Sequence, residues 1–528
     1  MGAPAEEIAP AADWTPSLGA QAVWLLAAKT VGFALAAALP LVLVRRLSLE
    51  EFGLYKQAFL VVMTTATVLP LGLGMSAFYY LPREPRRQGA VITNILVFHA
   101  ATALVVAALL WAFPQLLARV FNNPAIAVHS GLIGTVVVLW TVGSFLEIAP
   151  VALQDVRAST ALIISSQFSK TLLLMVAAVA VGTVRSLLIA AFLQGLAQIA
   201  LMTGYLHRRF PHFWRGFDLE LLRKQLAYAL PLGGSGLLLR VQATVPHAFV
   251  SNAFGPAAYA VYAVGVMQVP LLGIFRESIG SVVLPRINEL ESRNRRRQIL
   301  ELVAVAARKL ALVFFPIYGI LMVTGRDLIE VLFTREYIDS WPIFAVAQSF
   351  WPFAIIVMDP VTRAHGERFF FLALRLGICV ALVLVLWQYA ATLGLVGVTA
   401  AVLVAYLAGW CVTATRMARL LQADRRDLAL FRDVGRIAIV TAIAALAALG
   451  VHWLFSPAAP WRMLLLCGPL FALVYVTGIV QWRVLRKDEI VRLLREVTRS
   501  VSGSPARKAS GQSGRTAPAA EGAVRSGP

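Results

Sequence analysis

The sequence predicts an all-α polytopic membrane protein of about fourteen transmembrane helices. They are expected as two parallel six-helix lobes around a central cavity, with two accessory helices at the C-terminal end. Three observations predict this. Of 528 residues, 59% are hydrophobic and only 14% are charged, against roughly 25% charged in soluble domains. Apolar runs of about twenty residues recur down to residue 485, each long enough at 1.5 Å per residue to cross a core of about 30 Å. The stretch Leu47–Arg83, LSLEEFGLYKQAFLVVMTTATVLPLGLGMSAFYYLPR, also returns in outline about two hundred residues later. Tyr259-Ala260-Val261-Tyr262 stands for Phe52-Gly53-Leu54-Tyr55, Pro270 for Pro70, and Leu284-Pro285-Arg286 for Leu81-Pro82-Arg83, while Pro40 and Pro246 keep nearly the same offset upstream. Four echoes in order mark an internal repeat.

The spans centre near residues 33, 68, 100, 138, 171, 196, 238, 268, 312, 352, 380, 406, 445 and 473. Their connecting loops alternate in charge. Arg83/Arg86/Arg87, Arg157, Arg208 to Lys224, Arg286 to Lys309, Arg363/Arg368 and Arg416 to Arg432 fall on one side. The poorer side has Arg45/Arg46, Arg119, Arg185, Arg326/Arg335 and Arg462. Positive-inside orientation puts the rich side and both termini in the cytoplasm. The repeat restarts after six spans, an even number, so both copies enter the membrane in one direction and enclose a cavity between them.

The expected divisions are a cytoplasmic tail (1–19), an N-lobe (20–207), an inter-lobe loop (208–225) and a C-lobe (226–418). A cytoplasmic loop (419–433), an accessory helix pair (434–485) and a basic tail (486–528) complete the chain. Beyond Arg499 the tail is too poor in large apolar residues to bury a core and is expected to be disordered. The N-terminus lacks the basic region of a cleaved signal, so the first span is expected to stay as an anchor.

The net charge of +20 follows from the cytoplasmic loops, and no nucleic-acid partner is implied. Asn288 to Arg297, with its run of arginines, reads as an interfacial or solvated turn, with anionic-lipid contact as the alternative. Cys379, Cys411 and Cys467 lie within apolar runs without ligand spacing. They read as buried hydrophobes, with no metal site or disulfide framework. There is no GxxxxGK[ST], HExxH or CxxC, and no cofactor is implied. The GLG at Gly72 and GGSG at Gly233 follow no strand and suit close helix packing or a bend. No long extracytoplasmic loop, of the kind a glycan polymerase or ligase would carry, is present, so the chain reads as a transporter rather than an enzyme.

Ionisable residues inside the spans carry the functional signal, because a charge at mid-bilayer costs about 2.5–3.5 kcal/mol on insertion scales. Lys29, Lys170 and Arg240 are such cations. Arg240 shares one helix face with Gly236, Thr244, His247 and Ser251, at spacings of three and four. Lys170 has Ser166 and Ser169 beside it, and Gln194 and Gln198 form an i, i+4 pair. The alternative is that these groups glue helices together or, for the lysines, snorkel to the surface. Glu147, Glu277 and Asp359 sit near predicted cytoplasmic ends and read as gate or ion-pair residues. A cavity lined by cations and hydrogen-bonding side chains suits an anionic, sugar-bearing substrate.

The stretch Leu47 to Arg83 resembles the polysaccharide transporter branch of the multidrug/oligosaccharidyl-lipid/polysaccharide exporter superfamily, the O-antigen-type flippases. That family carries a first loop of the pattern L-S-x-E-E-F-G-x-Y leading into a span that ends G-L-G…L-P-R. The resemblance implies two six-helix lobes in a V, moving a polyprenyl-diphosphate-linked glycan across the bacterial inner membrane by alternating access. By position, Lys29, Lys170 and Arg240 would serve as cavity cations for the diphosphate and acidic sugars. One departure stands in the seventh span: relatives often read R-x-D, where Arg240-Val241-Gln242 has an amide, which breaks any cation coupling that relies on that carboxylate. Implied partners are the lipid-linked oligosaccharide, anionic lipids, and the glycan polymerase and chain-length proteins of the pathway. The rival readings are a drug/cation antiporter of the same superfamily and a membrane glycan polymerase or ligase.

Overall fold

The computed structural model describes residues 38–455, 459–482 and 484. Every regular element among them is helical. Lys29 and most of the first predicted span lie outside the described residues, as does the C-terminal tail. The chain divides into a unit from Met1 to Val476 and a second from Thr477 onward, of which little beyond a helix end is described.

The first lobe opens with α1, residues 38–46, and α2, Leu49–Val68. The LSLEE motif has a plain physical role here. Ser48 caps α2, its Oγ accepting from the Glu51 N–H at 3.3 Å while Glu51 Oε2 accepts from the Ser48 N–H at 3.1 Å. This reciprocal capping box satisfies two otherwise orphaned donors. The chain breaks at Leu69–Gly72 and resumes through a 3₁₀ turn into α3, Ser76–Arg83, bent 41° from α2. Then come α4 (Gln88–Ala112), α5 (Gln115–Phe121), α6 (Pro124–Ala127), α7 (Ser130–Gly143), α8 (Ala149–Ala152), α9 (Val156–Ala180) and α10 (Val184–Arg209).

The second lobe runs through α11 (Leu219–Gly265), α12 (Pro270–Ser292), α13 (Arg296–Phe333), α14 (Ser340–Gln348), α15 (Asp359–Ala364) and α16 (Arg368–Leu420). Two of these helices are each a pair of helices joined at one glycine. Gly255 (φ 78°, ψ −178°) divides α11 and Gly394 (φ 66°, ψ 179°) divides α16. Only glycine adopts that backbone region without strain. The part of α11 beyond Gly255, the break at residues 266–269 and α12 reproduce the order α2, break, α3. The repeat seen in the letters is therefore a repeat of a broken span. The accessory helices are α17 (Arg432–Leu454) and α18 (Pro460–Gln481).

With the parallel lobes come two ends of the bundle, one with arginine-rich loops and one with arginine-poor loops. At the arginine-poor end, side chains of α1, α2 and α7 form one apolar core with Ala260, Val264, Phe333, Tyr337 and Phe344 of the second lobe. Cys379 and Cys467 are buried as expected, but Cys411 is exposed. An apolar span has a lipid-facing side as well as a packed one, and Cys411 occupies the former.

Candidate functional site

The site is built on α11, the helix that both lobes share. Near its start, Leu221, Leu222 and Ala229 are buried in the first lobe's core. Gln225 donates to Ser76 Oγ at 3.1 Å and accepts from Asn94 at 3.0 Å, and Arg87 pairs with Asp218 at 3.1 Å. One turn further on, Gly233 meets Gly72 backbone to backbone, so closely that a Cβ on either would lie 3.1–3.2 Å from the other's Cα. Toward the opposite end of the span, Ser251 accepts a hydrogen bond from Gln57 Nε2 at 2.7 Å, and Gln57 Oε1 accepts from Asn123 at 2.7 Å. Asn252 donates to the carbonyls of Arg119 and Val120. Arg45 adds a clasp, donating to the carbonyls of Val331 and Leu332 at 2.8 Å. A Cβ at Gly53 would collide with the Pro256 carbonyl. The arginine-poor ends of the lobes are thus fastened together by a buried polar network.

Arg240 lies between these two contacts, on the same face of α11 as Gly233 and Ser251 at helical spacing. It is exposed, although both neighbours along that face are in contact with the first lobe. Between the two contacts, the described part of the first lobe leaves that face uncovered at Arg240. No described residue accepts a hydrogen bond or ion pair from the Arg240 guanidinium. Thr244 lies one turn on, its hydroxyl bonded to the Arg240 carbonyl at 3.0 Å. His247 follows, its Nδ1 3.2 Å from Tyr259 Oη, with the imidazole edge-on to Tyr259 and Tyr262. Lys56 of α2 stands within electrostatic reach of His247, its ammonium 5.2 Å from the centre of the Phe52 ring.

The other expected residues fall in three places. Lys170 stays in the first lobe, its ammonium 4.3 Å from the centre of the Trp140 ring, in a cation–π contact. Ser166, a turn earlier, is buried and accepts through its carbonyl from Ser169 at 3.0 Å. Gln194 and Gln198 are turned inward: Gln194 donates to Gln198 at 2.9 Å, and Gln198 to the Gly143 carbonyl at 2.9 Å. Their amides knit α10 to α7. Among the acids, Asp359 pairs with Arg363 at 2.9 Å and Glu147 accepts from Gln167 at 3.2 Å. Glu277 lies on an exposed face of α12. Arg276, beside it, has Asp359 and Arg375 within electrostatic reach. Gln242 points away from Arg240, fully buried, and neither amide atom has a partner among the described residues.

Lys56 and Gln57 are residues that sequence reasoning missed. Both follow directly on FGLY, where the eye reads the close of a loop. One signal was available: in the repeat register Ala263 and Val264 stand opposite them, so polarity here belongs to one copy only.

Helical lobes of broken spans, fastened together at one end, define a multi-pass membrane protein. The structure is similar to one described as "Lipid II flippase MurJ, inward closed conformation" (TM-score 0.64, 14% identity, covering 87% of this chain and 99% of that one). An inward-facing multidrug resistance MATE family transporter of the MOP superfamily is similar at TM-score 0.52 and 16% identity, covering 76% and 96%. So is a MOP superfamily transporter from Pyrococcus furiosus at 0.52 and 13%, again covering 76% and 96%. No curated protein sequence matches the chain. Residues 18–291 match the family model for polysaccharide biosynthesis proteins, and the chain belongs to that family.

Proposed function

We propose that the protein is a flippase that carries a polyprenyl-diphosphate-linked oligosaccharide across the bacterial inner membrane by alternating access. Both termini and the arginine-rich end would face the cytoplasm, and anionic lipids would bind that end. The polymerase and chain-length proteins of the same pathway would receive the product. The observation that carries this reading is Arg240, an exposed guanidinium midway along α11, without a partner among the described residues and lying between two inter-lobe contacts. A charge in that place needs a ligand. A diphosphate can accept two parallel hydrogen bonds from a guanidinium, which the single ammonium of lysine does not reproduce. Thr244 and Lys56 extend the face toward sugar hydroxyls and further negative charge.

The experiment is translocation of a fluorescent polyprenyl-diphosphate oligosaccharide in proteoliposomes, with membrane abundance followed in parallel. Arg240→Ala is expected to lower the rate at least a hundredfold at near-normal abundance, and Arg240→Lys to restore part of it. Full translocation by the alanine variant removes Arg240 from the site. Efflux of cationic dyes without glycolipid movement favours the drug antiporter, and glycan joining by the purified protein favours a polymerase or ligase.

A further inference from the structure

The second repeat carries an extension that the first lacks. In the first, α3 stops at Leu81-Pro82-Arg83 and α4 begins five residues later. In the second, α12 runs past Leu284-Pro285-Arg286 to Ser292, and α13 starts at Arg296, well before its apolar stretch begins at Leu310. The result is a helical hairpin with the turn Arg293-Asn294-Arg295 at its tip.

Two ion pairs fix how far it projects. Arg308 pairs with Asp433 at 3.7 Å and Arg297 with Asp427 at 2.7 Å, so the segment 425–431 climbs α13 from the foot of α17. Arg308 and Lys309 are the last charges before the apolar stretch and mark the edge of the hydrocarbon. Arg297 lies eleven residues beyond Arg308, about 16 Å along the helix at 1.5 Å per residue. The headgroup layer adds only about 5–7 Å on each side of the core. For a helix along the membrane normal, the tip would then stand roughly 10 Å clear of the headgroups.

The tip is basic and concave. Asn294, Arg295, Arg296, Arg297, Gln298 and Gln422 line an open hollow of about 690 Å³. Arg297 is committed to Asp427 and Glu301. The nearest partners of Arg295 and Arg296 are neutral, Gln298 at 3.4 Å and Asn294 at 3.3 Å, and among the described residues neither has an acidic partner. Leu428, the residue after the Asp427 that holds Arg297, is 70% exposed. An exposed leucine one residue from the acid that anchors the basic tip suits a protein contact, an apolar anchor near charges that fix orientation.

We propose that this hairpin tip docks an acidic segment of a soluble protein, one that presents carboxylates to Arg295 and Arg296 and an apolar side chain to Leu428. The reach of the tip argues against a lipid headgroup, and the exposed leucine against a free phosphate. The contact lies apart from the α11 face and does not depend on what that face carries.

The test uses the full chain in phosphatidylcholine nanodiscs and a fluorescein-labelled peptide with three glutamates on each side of one leucine, followed by anisotropy. The double variant Arg295→Glu/Arg296→Glu is expected to weaken binding at least tenfold, and Leu428→Ser about threefold. The pair Arg208→Glu/Arg209→Glu, on the same end of the bundle, is expected to change it less than twofold. Arg295→Gln/Arg296→Gln serves if charge reversal lowers the folded yield. Equal loss in the Arg208/Arg209 pair overturns the proposal, since any basic surface would then do. Inorganic pyrophosphate displacing the peptide at lower concentration than the unlabelled peptide makes the hollow a phosphate site. Peptide binding abolished by phosphatidylglycerol in the nanodiscs, and regained on its removal, makes it a lipid site.

Discussion

The two broken spans share an outline in the sequence yet lead different lives. In the first copy, α2 and α3 leave Met63, Phe78 and Tyr79 exposed but bury most of their large side chains. Phe52, Tyr55, Phe59, Leu73, Ala77 and Leu81 are buried, and the segment touches α11 through Gly53, Gln57 and Gly72. In the second copy, α12 buries Leu272, Val283 and Ile287 but leaves Leu271, Phe275 and Val282 exposed. Glycines tell the same story. A Cβ at Gly53 has no room, whereas one at Gly273 or Gly280 meets nothing within 4 Å. A repeated sequence fixes where a helix breaks. What it packs against is set by residues that differ between the copies, and here one copy became the fastening and the other kept a free face.

The largest effect expected from this contrast is at Gly53. Gly53→Val drives a branched side chain into the Pro256 carbonyl and should cost at least the upper end of the usual 1–3 kcal/mol for overpacking, about 3 kcal/mol. Membrane-inserted yield and melting temperature in detergent check it, and normal values would show that the lobes join elsewhere. Gln57→Leu comes next. It removes the hydrogen bond to Ser251 and leaves Asn123 without an acceptor, about 1–3 kcal/mol against the fastened state. Spin labels on the two lobes at the arginine-poor end should report a wider, more populated separation. An unchanged distance distribution would mean the polar network holds nothing shut. The smallest effect is at the free face: Gly280→Ala should stabilise α12 by about 0.5–1 kcal/mol, from helix propensity alone. A loss of stability there would mean that α12 is packed as tightly as its counterpart.

Much of this was legible in the letters. The breaks at Pro70 and Pro270 and the shared helix face of Arg240, Thr244 and His247 follow from local rules of turn and periodicity. The fastening was not legible, because Gln57 and Ser251 are 194 residues apart and nothing local to either announces the other. Gln194 and Gln198 misled for a related reason. Their spacing places two amides on one face, but periodicity does not say whether that face meets a cavity or the next helix, and here it meets α7. Lys56 was hidden by its neighbours, since a lysine after FGLY reads as the last residue of a loop.

The bare contact between Gly72 and Gly233 has a mechanical consequence. With no side chains interposed, two backbones can turn against each other there without unlocking any rotamer, so the contact is a fulcrum. Ser251 lies eighteen residues along α11, a lever arm of about 27 Å at 1.5 Å per residue. A rotation of only about 2° about the fulcrum carries the Ser251 hydroxyl about 1 Å. That is enough to take its 2.7 Å bond with Gln57 beyond hydrogen-bonding distance. The fastening is therefore placed where the smallest tilt of α11 releases it, and where a small tilt in reverse closes it again.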